Sequence, residues 1–160
     1  MRALFRLLVL LPIACMGCGP TVDLTKGLEF VDVSTGLLDQ GIVNGQNKLV
    51  PSITFKLKNV SDQNLVALQI NAMFRKVASP NEDWGTGFVV VSRSDGLPPG
   101  ATSKPITITS NLGYTGLEPR AEMLNNKAFV DSRVELAAKY SSIQWARIAD
   151  FPIDRRLLTP

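Results

Sequence analysis

The sequence predicts an all-β fold, an antiparallel β-sandwich of about seven strands. Three observations predict it. Apolar residues recur at every second position over several stretches, the pattern of strands with one buried face. Clusters of Gly, Pro, Asn and Ser separate these stretches at spacings of roughly ten residues, which suits a sandwich. Only one stretch, residues 119–126, reads as a helical turn or two. An eight-stranded barrel is the alternative arrangement.

Each element follows from its own residues. Leu28 to Val33 is a first strand, closed by Ser34-Thr35-Gly36. Leu37 to Asn47 holds Gly41, Asn44 and Gly45 and reads as a loop or weak edge strand. Ile53-Thr54-Phe55-Lys56-Leu57-Lys58 puts three apolar side chains on one face and Thr and Lys on the other. The alternation repeats from Leu68 to Arg75. The turn-prone segment Asn59 to Asn64 lies between them, so the two strands are expected to pair as an antiparallel hairpin. After a loop over Ala78 to Asp83 comes a strand from Trp84 to Arg93. Gly96-Leu97-Pro98-Pro99-Gly100 ends it, because neither proline can donate to a ladder. Pro105 to Thr109 is a further strand, and Pro119 opens the helical turn at a position that tolerates it. Arg133 to Tyr140 and Ile143 to Ile148 form a last hairpin around Ser141-Ser142, and a tail from Phe151 covers an edge.

Of 160 residues, the first seventeen read as an export signal. Arg2 and Arg6 form a positive n-region, and Leu7 to Met16 a short apolar run. Ten helical residues span about 15 Å, half of the ~30 Å hydrocarbon core, so this run is not a transmembrane anchor. Residues 18–26 read as a short tether and 27–160 as one domain. The formal charge of +3 falls once Arg2 and Arg6 are removed, leaving fifteen basic and fourteen acidic residues. The basic residues come singly or in pairs rather than as a patch, which argues against nucleic acid.

Small residues precede the chain's two cysteines: Ala14 before Cys15, and Gly17 before Cys18. This arrangement resembles the lipobox of bacterial lipoproteins. The resemblance implies a diacylglyceryl group on the cysteine sulfur and an acylated amine, and several acyl chains make a lasting anchor. Cys18 is favoured over the alternative Cys15, because it gives the longer apolar run and leaves no unpaired thiol. The residue after either cysteine (Gly19 or Met16) is not Asp, which in the lipoprotein pattern implies the outer membrane, facing the periplasm. The alternative is an ordinary secretory signal cut near this point.

The middle of the chain is similar to FxLYD-type domains, small immunoglobulin-like modules common on prokaryotic lipoproteins. The likeness rests on Lys58-Asn59-Val60-Ser61-Asp62, on Leu65 through Ala72-Met73-Phe74-Arg75, and on Leu97-Pro98-Pro99-Gly100. It covers roughly residues 50–110, and Arg75-Lys76 stands where the family has Tyr and Asp. It implies an immunoglobulin-like sandwich and transfers no catalytic residue.

The chain contains no histidine, which removes histidine-activated nucleophiles and histidine metal sites. Carboxylates at Glu82-Asp83, Asp131 with Glu135, and Asp150 with Asp154 read as solvated charge, though a carboxylate-only hydrolase would draw on them. Gly85-Thr86-Gly87 runs into a strand, so it reads as a turn or bulge rather than a phosphate loop. Trp84, Trp145 and Tyr140 are the candidate ligand-facing aromatics, although one tryptophan is expected to fill the core. The expected function is non-catalytic: a membrane-anchored module that binds or assembles another envelope protein, without cofactor or metal. A glycan- or cell-wall-binding module using those aromatics is the alternative.

Overall fold

The computed structural model describes residues 21–141 and 143–158. The signal, with Cys15 and Cys18, lies outside the described residues. Strands β1 (Leu28–Val43) and β2 (Gln46–Asn59) form a long antiparallel hairpin around Asn44-Gly45. Both turn residues have positive φ, 53° and 78°, as a two-residue turn matched to strand twist requires. Of the two readings of Leu37 to Asn47, loop or weak edge strand, the strand holds as far as Val43, and the expected stop at Ser34 to Gly36 is corrected. Two bulges absorb the turn-prone residues, one between Val31 and Ser34 and one between Asp39 and Ile42. Asp32 and Gly41 take φ values of 54° and 77° there, after which pairing resumes.

On its other side β2 pairs with β5 (Ile106–Thr109) and β6 (Tyr114–Gly116). The tail strand β9 (Leu157–Leu158) runs parallel to β1 at Leu37 and Leu38 and covers that edge. The second sheet has the order β4 (Ser79–Val90), β3 (Gln69–Lys76), β7 (Ser132–Lys139), β8 (Ala146–Pro152). With β1-β2-β5 facing β4-β3-β7-β8, the pairing is that of an immunoglobulin-like sandwich. Among the described residues nine strands stand where about seven were expected; β6 and β9, of three and two residues, escape pattern reading. Strand β4 begins at Ser79, within the expected loop, and β8 begins at Ala146, three residues after the expected start. The expected helical turn is α2 (Arg120–Asn125), behind Pro119.

Strands β2 and β3 do not pair with each other. The expected hairpin is instead an arch, in which residues 60–68 cross from one sheet to the other. Leu65 and Leu68 on the arch are fully buried, and burying them requires the chain to pass over the core. Asn59 fastens the start of this crossing. Its side chain is buried, donates to the carbonyls of Gln63 (2.8 Å) and Leu97 (2.7 Å), and accepts from the Ser61 amide (3.0 Å). Its backbone joins the same loop, through Asn59 N–H to Ala101 O (2.9 Å) and Gly100 N–H to Asn59 O (2.7 Å).

The core is built from alternating inward residues: Ile53, Phe55 and Leu57 of β2, Ile70 and Phe74 of β3, Val134 and Leu136 of β7. Outward partners on β2 form exposed pairs such as Lys56–Asp32 at 2.7 Å, each contributing about 0–1 kcal/mol. Gly85 and Gly87 lie on the inner face of β4. A Cβ on Gly85 would sit 2.0 Å from Ser110 Oγ, and one on Gly87 would sit 2.3 Å from Ile108 Cγ2. Their bareness lets β5 and its following turn close against β4. A bulge does lie beside them, since pairing with β3 skips Trp84 between Asp83 and Gly85.

Residues 22–26, read from sequence as part of a tether, pack on the sandwich. A single helical turn, α1 (Leu24–Gly27), is capped by Asp23, which accepts from Thr25 N–H at 3.0 Å. Leu24 is buried in the core, and Val22 N–H donates to the Tyr140 hydroxyl at 2.6 Å. The chain therefore docks from Val22 onward rather than from residue 27, because Leu24 has an apolar site to fill.

Two variants probe this account by urea denaturation. Asn59→Leu leaves buried carbonyls unpaired and is expected to lose about 1–3 kcal/mol. Gly87→Val forces β5 off β4 and is expected to lose about 1–3 kcal/mol by overpacking. An unchanged midpoint in either variant refutes the corresponding contact.

Candidate functional site

The outer face of the β4-β3-β7-β8 sheet divides into two regions. The register aligns Arg75 with Arg133, and Met73 with Glu135, which faces Asp150. Here Arg75 joins Asp83 (2.7 Å) and Glu135 (3.2 Å). Arg133 bonds Glu135 and reaches Asp150 (3.3 Å), while Arg147 joins Asp150 at 2.7 Å. Three guanidiniums thus engage the acids Asp83, Glu135 and Asp150. Asp131 pairs with Arg155 at 2.6 Å, and that bond holds its carboxyl below the usual range. Asp154 pairs with Arg156 at 3.7 Å, so of the six carboxylates singled out from sequence five are tied to arginines. Among the described residues no group of His, Cys, Asp and Glu is placed to hold a metal.

The other region exposes large apolar side chains among polar ones. The register places Val90, Gln69 and Lys139 in one row, and Phe88, Asn71, Ala137 and Arg147 in the next. Phe88 is 58% exposed, Val90 45% and Trp145 41%. The small central side chains let the Trp145 ring approach Phe88 across the sheet, edge to face at 6.4 Å. Lys139 Nζ lies 4.9 Å from the indole centroid, a cation–π contact that keeps the indole against the sheet.

This region borders an open sheet edge, since β4 pairs only with β3. Thr86 shows which way the β4 backbone points: its N–H donates to Asn111 Oδ1 (2.8 Å), and its C=O accepts from Asn111 N–H (3.3 Å). Both groups point away from β3. Pairing continues unbroken to Val90, so alternation turns the N–H and C=O of Phe88 and Val90 outward as well. Beyond Gly87 the two sheets part. A groove of about 480 Å³ opens there, lined by Val89, Val91, Leu97, Ile106 and Lys104 among others.

The aromatics chosen from sequence are separated. Tyr140 is buried and spends its hydroxyl on Val22, so it faces no ligand, and that expectation is corrected. Neither tryptophan fills the core. The bulge turns Trp84 toward β6, where its ring meets Tyr114 edge to face at 4.6 Å. Tyr114 in turn stacks on Phe129 at 4.2 Å and donates to Val130 O. Only Trp145 remains well exposed. Sequence reading passed over Phe88 and Val90 as a β-rich run. Their value lies in the outward backbone of an edge strand, and one sequence does not say which strand is an edge.

No family model matches the chain, and no curated protein matches it. Among solved structures, the chain is similar to an X-ray structure of Northeast Structural Genomics Consortium target SoR45. The likeness covers 81% of this chain and 88% of that one, at 17% identity and a TM-score of 0.44.

Burial pushes the Tyr114 phenol up from 10.0 to about 12. A raised pKa here means the fold favours the neutral phenol. That contribution is complete below pH 10 and disappears as pH rises from 10 through about 12. Alkaline titration is expected to show Tyr114 ionising after an ordinary tyrosine, and Tyr114→Phe is expected to weaken the loss of stability in that window. Ionisation near 10 refutes its burial.

Proposed function

We propose that this protein is a non-catalytic bacterial lipoprotein, held to the outer membrane through acylated Cys18 and facing the periplasm. In this reading its sandwich binds an extended segment of another envelope protein along β4. The outward N–H and C=O of Phe88 and Val90 carry the proposal, because they are the chemical complement of one more strand. The groove beside them offers Val89, Leu97 and Ile106 to the alternate side chains of that segment. Polypeptide fits this edge better than glycan, since its main requirement is a ladder of peptide groups.

The arrangement also supports membership of the FxLYD-like modules. Two of the three stretches that carry the resemblance, 58–62 and 97–100, meet at Asn59, whose side chain bonds Leu97 O and whose carbonyl accepts from Gly100. The histidine-free composition favours binding over catalysis.

Two measurements test the reading. Palmitate labelling is expected in the wild type and in Cys15→Ala but absent in Cys18→Ala; labelling that survives in Cys18→Ala moves the anchor. A photo-crosslinking residue at position 90 is expected to capture one envelope protein in cells, and Val90→Pro, which removes an outward N–H and leaves the β3 ladder intact, is expected to abolish its binding. Crosslinking that persists at full yield in a Val90→Pro background, with the probe moved to position 88, defeats strand addition.

A further inference from the structure

The segment preceding β1 docks at one particular end of the sandwich. Val22 is bound to Tyr140, and the same end carries the start of β1, the end of β2, the start of β3 and the end of β4. Lys139 is there too, in register with Gln69 and Val90, and Trp145 directly precedes β8 at the same level. Trp84, Lys76 and the Asn44-Gly45 turn lie at the opposite end. The eight residues of β3 separate the two ends, a distance of about 25 Å at ~3.3 Å per residue.

Only three residues lie between Cys18 and Val22, which makes four Cα-to-Cα steps. Fully extended, they reach about 14 Å, at 3.3–3.6 Å each. An acylated Cys18 has its chains in the hydrocarbon, beneath an interfacial layer roughly 5–8 Å thick on each side. The docking of Val22 and Leu24 therefore leaves the domain very little slack.

We infer that this end of the sandwich rests on the bilayer, with Trp145 and Val60 at headgroup level as a second contact with the lipid surface. This rests on the Cys18 anchor proposed above. Four observations point to lipid at this end rather than water. Val60 is 48% exposed and Trp145 41%; Val60 N–H is bonded to Gly27 O at the end of α1, and Trp145 packs beside Lys139, the neighbour of Tyr140. Indole rings concentrate at the membrane interface, where one side is apolar and the other wet. Lys139, held against the indole, can extend its charge toward the headgroups while its stem stays on the ring. Among the described residues, no carboxylate forms an ion pair with Lys139, Arg93 or Lys104, which leaves three cations for anionic headgroups. The nearby Asp95 is turned into its own loop, accepting from the amides of Arg93 (3.2 Å) and Gly96 (3.1 Å). Asp23 caps α1. The orientation also makes the proposed binding edge useful: β4 stands across the membrane plane, and its open stretch lies near the membrane.

The test uses the full lipidated protein in vesicles of phosphatidylethanolamine and phosphatidylglycerol that contain bromine-labelled lipid. Trp84→Phe leaves Trp145 as the lone fluorophore, and Trp145→Phe leaves Trp84. The first variant is expected to shift its emission to shorter wavelength and be quenched; the second is expected to do neither. Hydroxyl-radical footprinting of the wild type keeps the test independent of either substitution, with Trp145 expected to be protected on vesicles and Trp84 not. Protein that floats with the vesicles while Trp145 stays unquenched and reactive overturns the inference and leaves the anchor standing. Protection of Trp145 without quenching assigns it to a protein contact and also overturns the inference. Protein that neither carries palmitate nor floats defeats the anchor, and the inference with it.

Discussion

Asn59 is the point on which the sandwich turns. It is the last residue of β2 and the first of the crossing between sheets, and its buried amide is paired on both its donor and acceptor sides. A buried amide is tolerable only when its partners are in place, and a network satisfied in this way specifies a single geometry. Here the partners are the arch from β2 to β3 and the loop from β4 to β5. One side chain thus ties together both links between the sheets at one end of the molecule, and the alternating faces of β2, β3 and β7 then have one way to meet.

The open edge follows from that arrangement. With the sheets pinned at Asn59 and closed at the far end by the bare face of Gly85 and Gly87, they part between Phe88 and the 104–107 segment. Asn111 covers Thr86 with its side chain and backbone, and the cover stops there. The first half of β4 carries Pro80, Glu82 and Asp83, residues that discourage edge pairing. The half from Phe88 to Val90 carries none, and it is the half beside the groove. The same strand is guarded where it is merely exposed and left unguarded where a partner fits.

Much of the fold was legible beforehand because the code for a half-buried strand is local. Ile53-Phe55-Leu57 and Ile70-Ala72-Phe74 announce their faces by alternation alone, and Pro119 announces α2. Pairing was less legible. The link from β2 to β3 has the composition of a hairpin turn, and only the burial of Leu65 and Leu68 makes it an arch. Turn-prone residues inside β1 read as breaks, although bulges at Asp32 and Gly41 take them up. Among the aromatics, composition ranked Tyr140, Trp84 and Trp145 alike; a hydrogen bond to Val22 and a one-residue bulge separated them.

The amino-acid sequence by itself determined the all-β class, the strand faces, the lack of histidine chemistry and the short apolar run before Cys18. Each is a property of single residues or of neighbours within a few positions. Tertiary structure alone decided which strand became an edge, which aromatics stayed in solvent, and at which end of the sandwich Val22 docks. Those depend on contacts between residues far apart in the chain, as when Asn59 meets Leu97 or Val22 meets Tyr140, and such contacts leave no periodic mark on the sequences that form them.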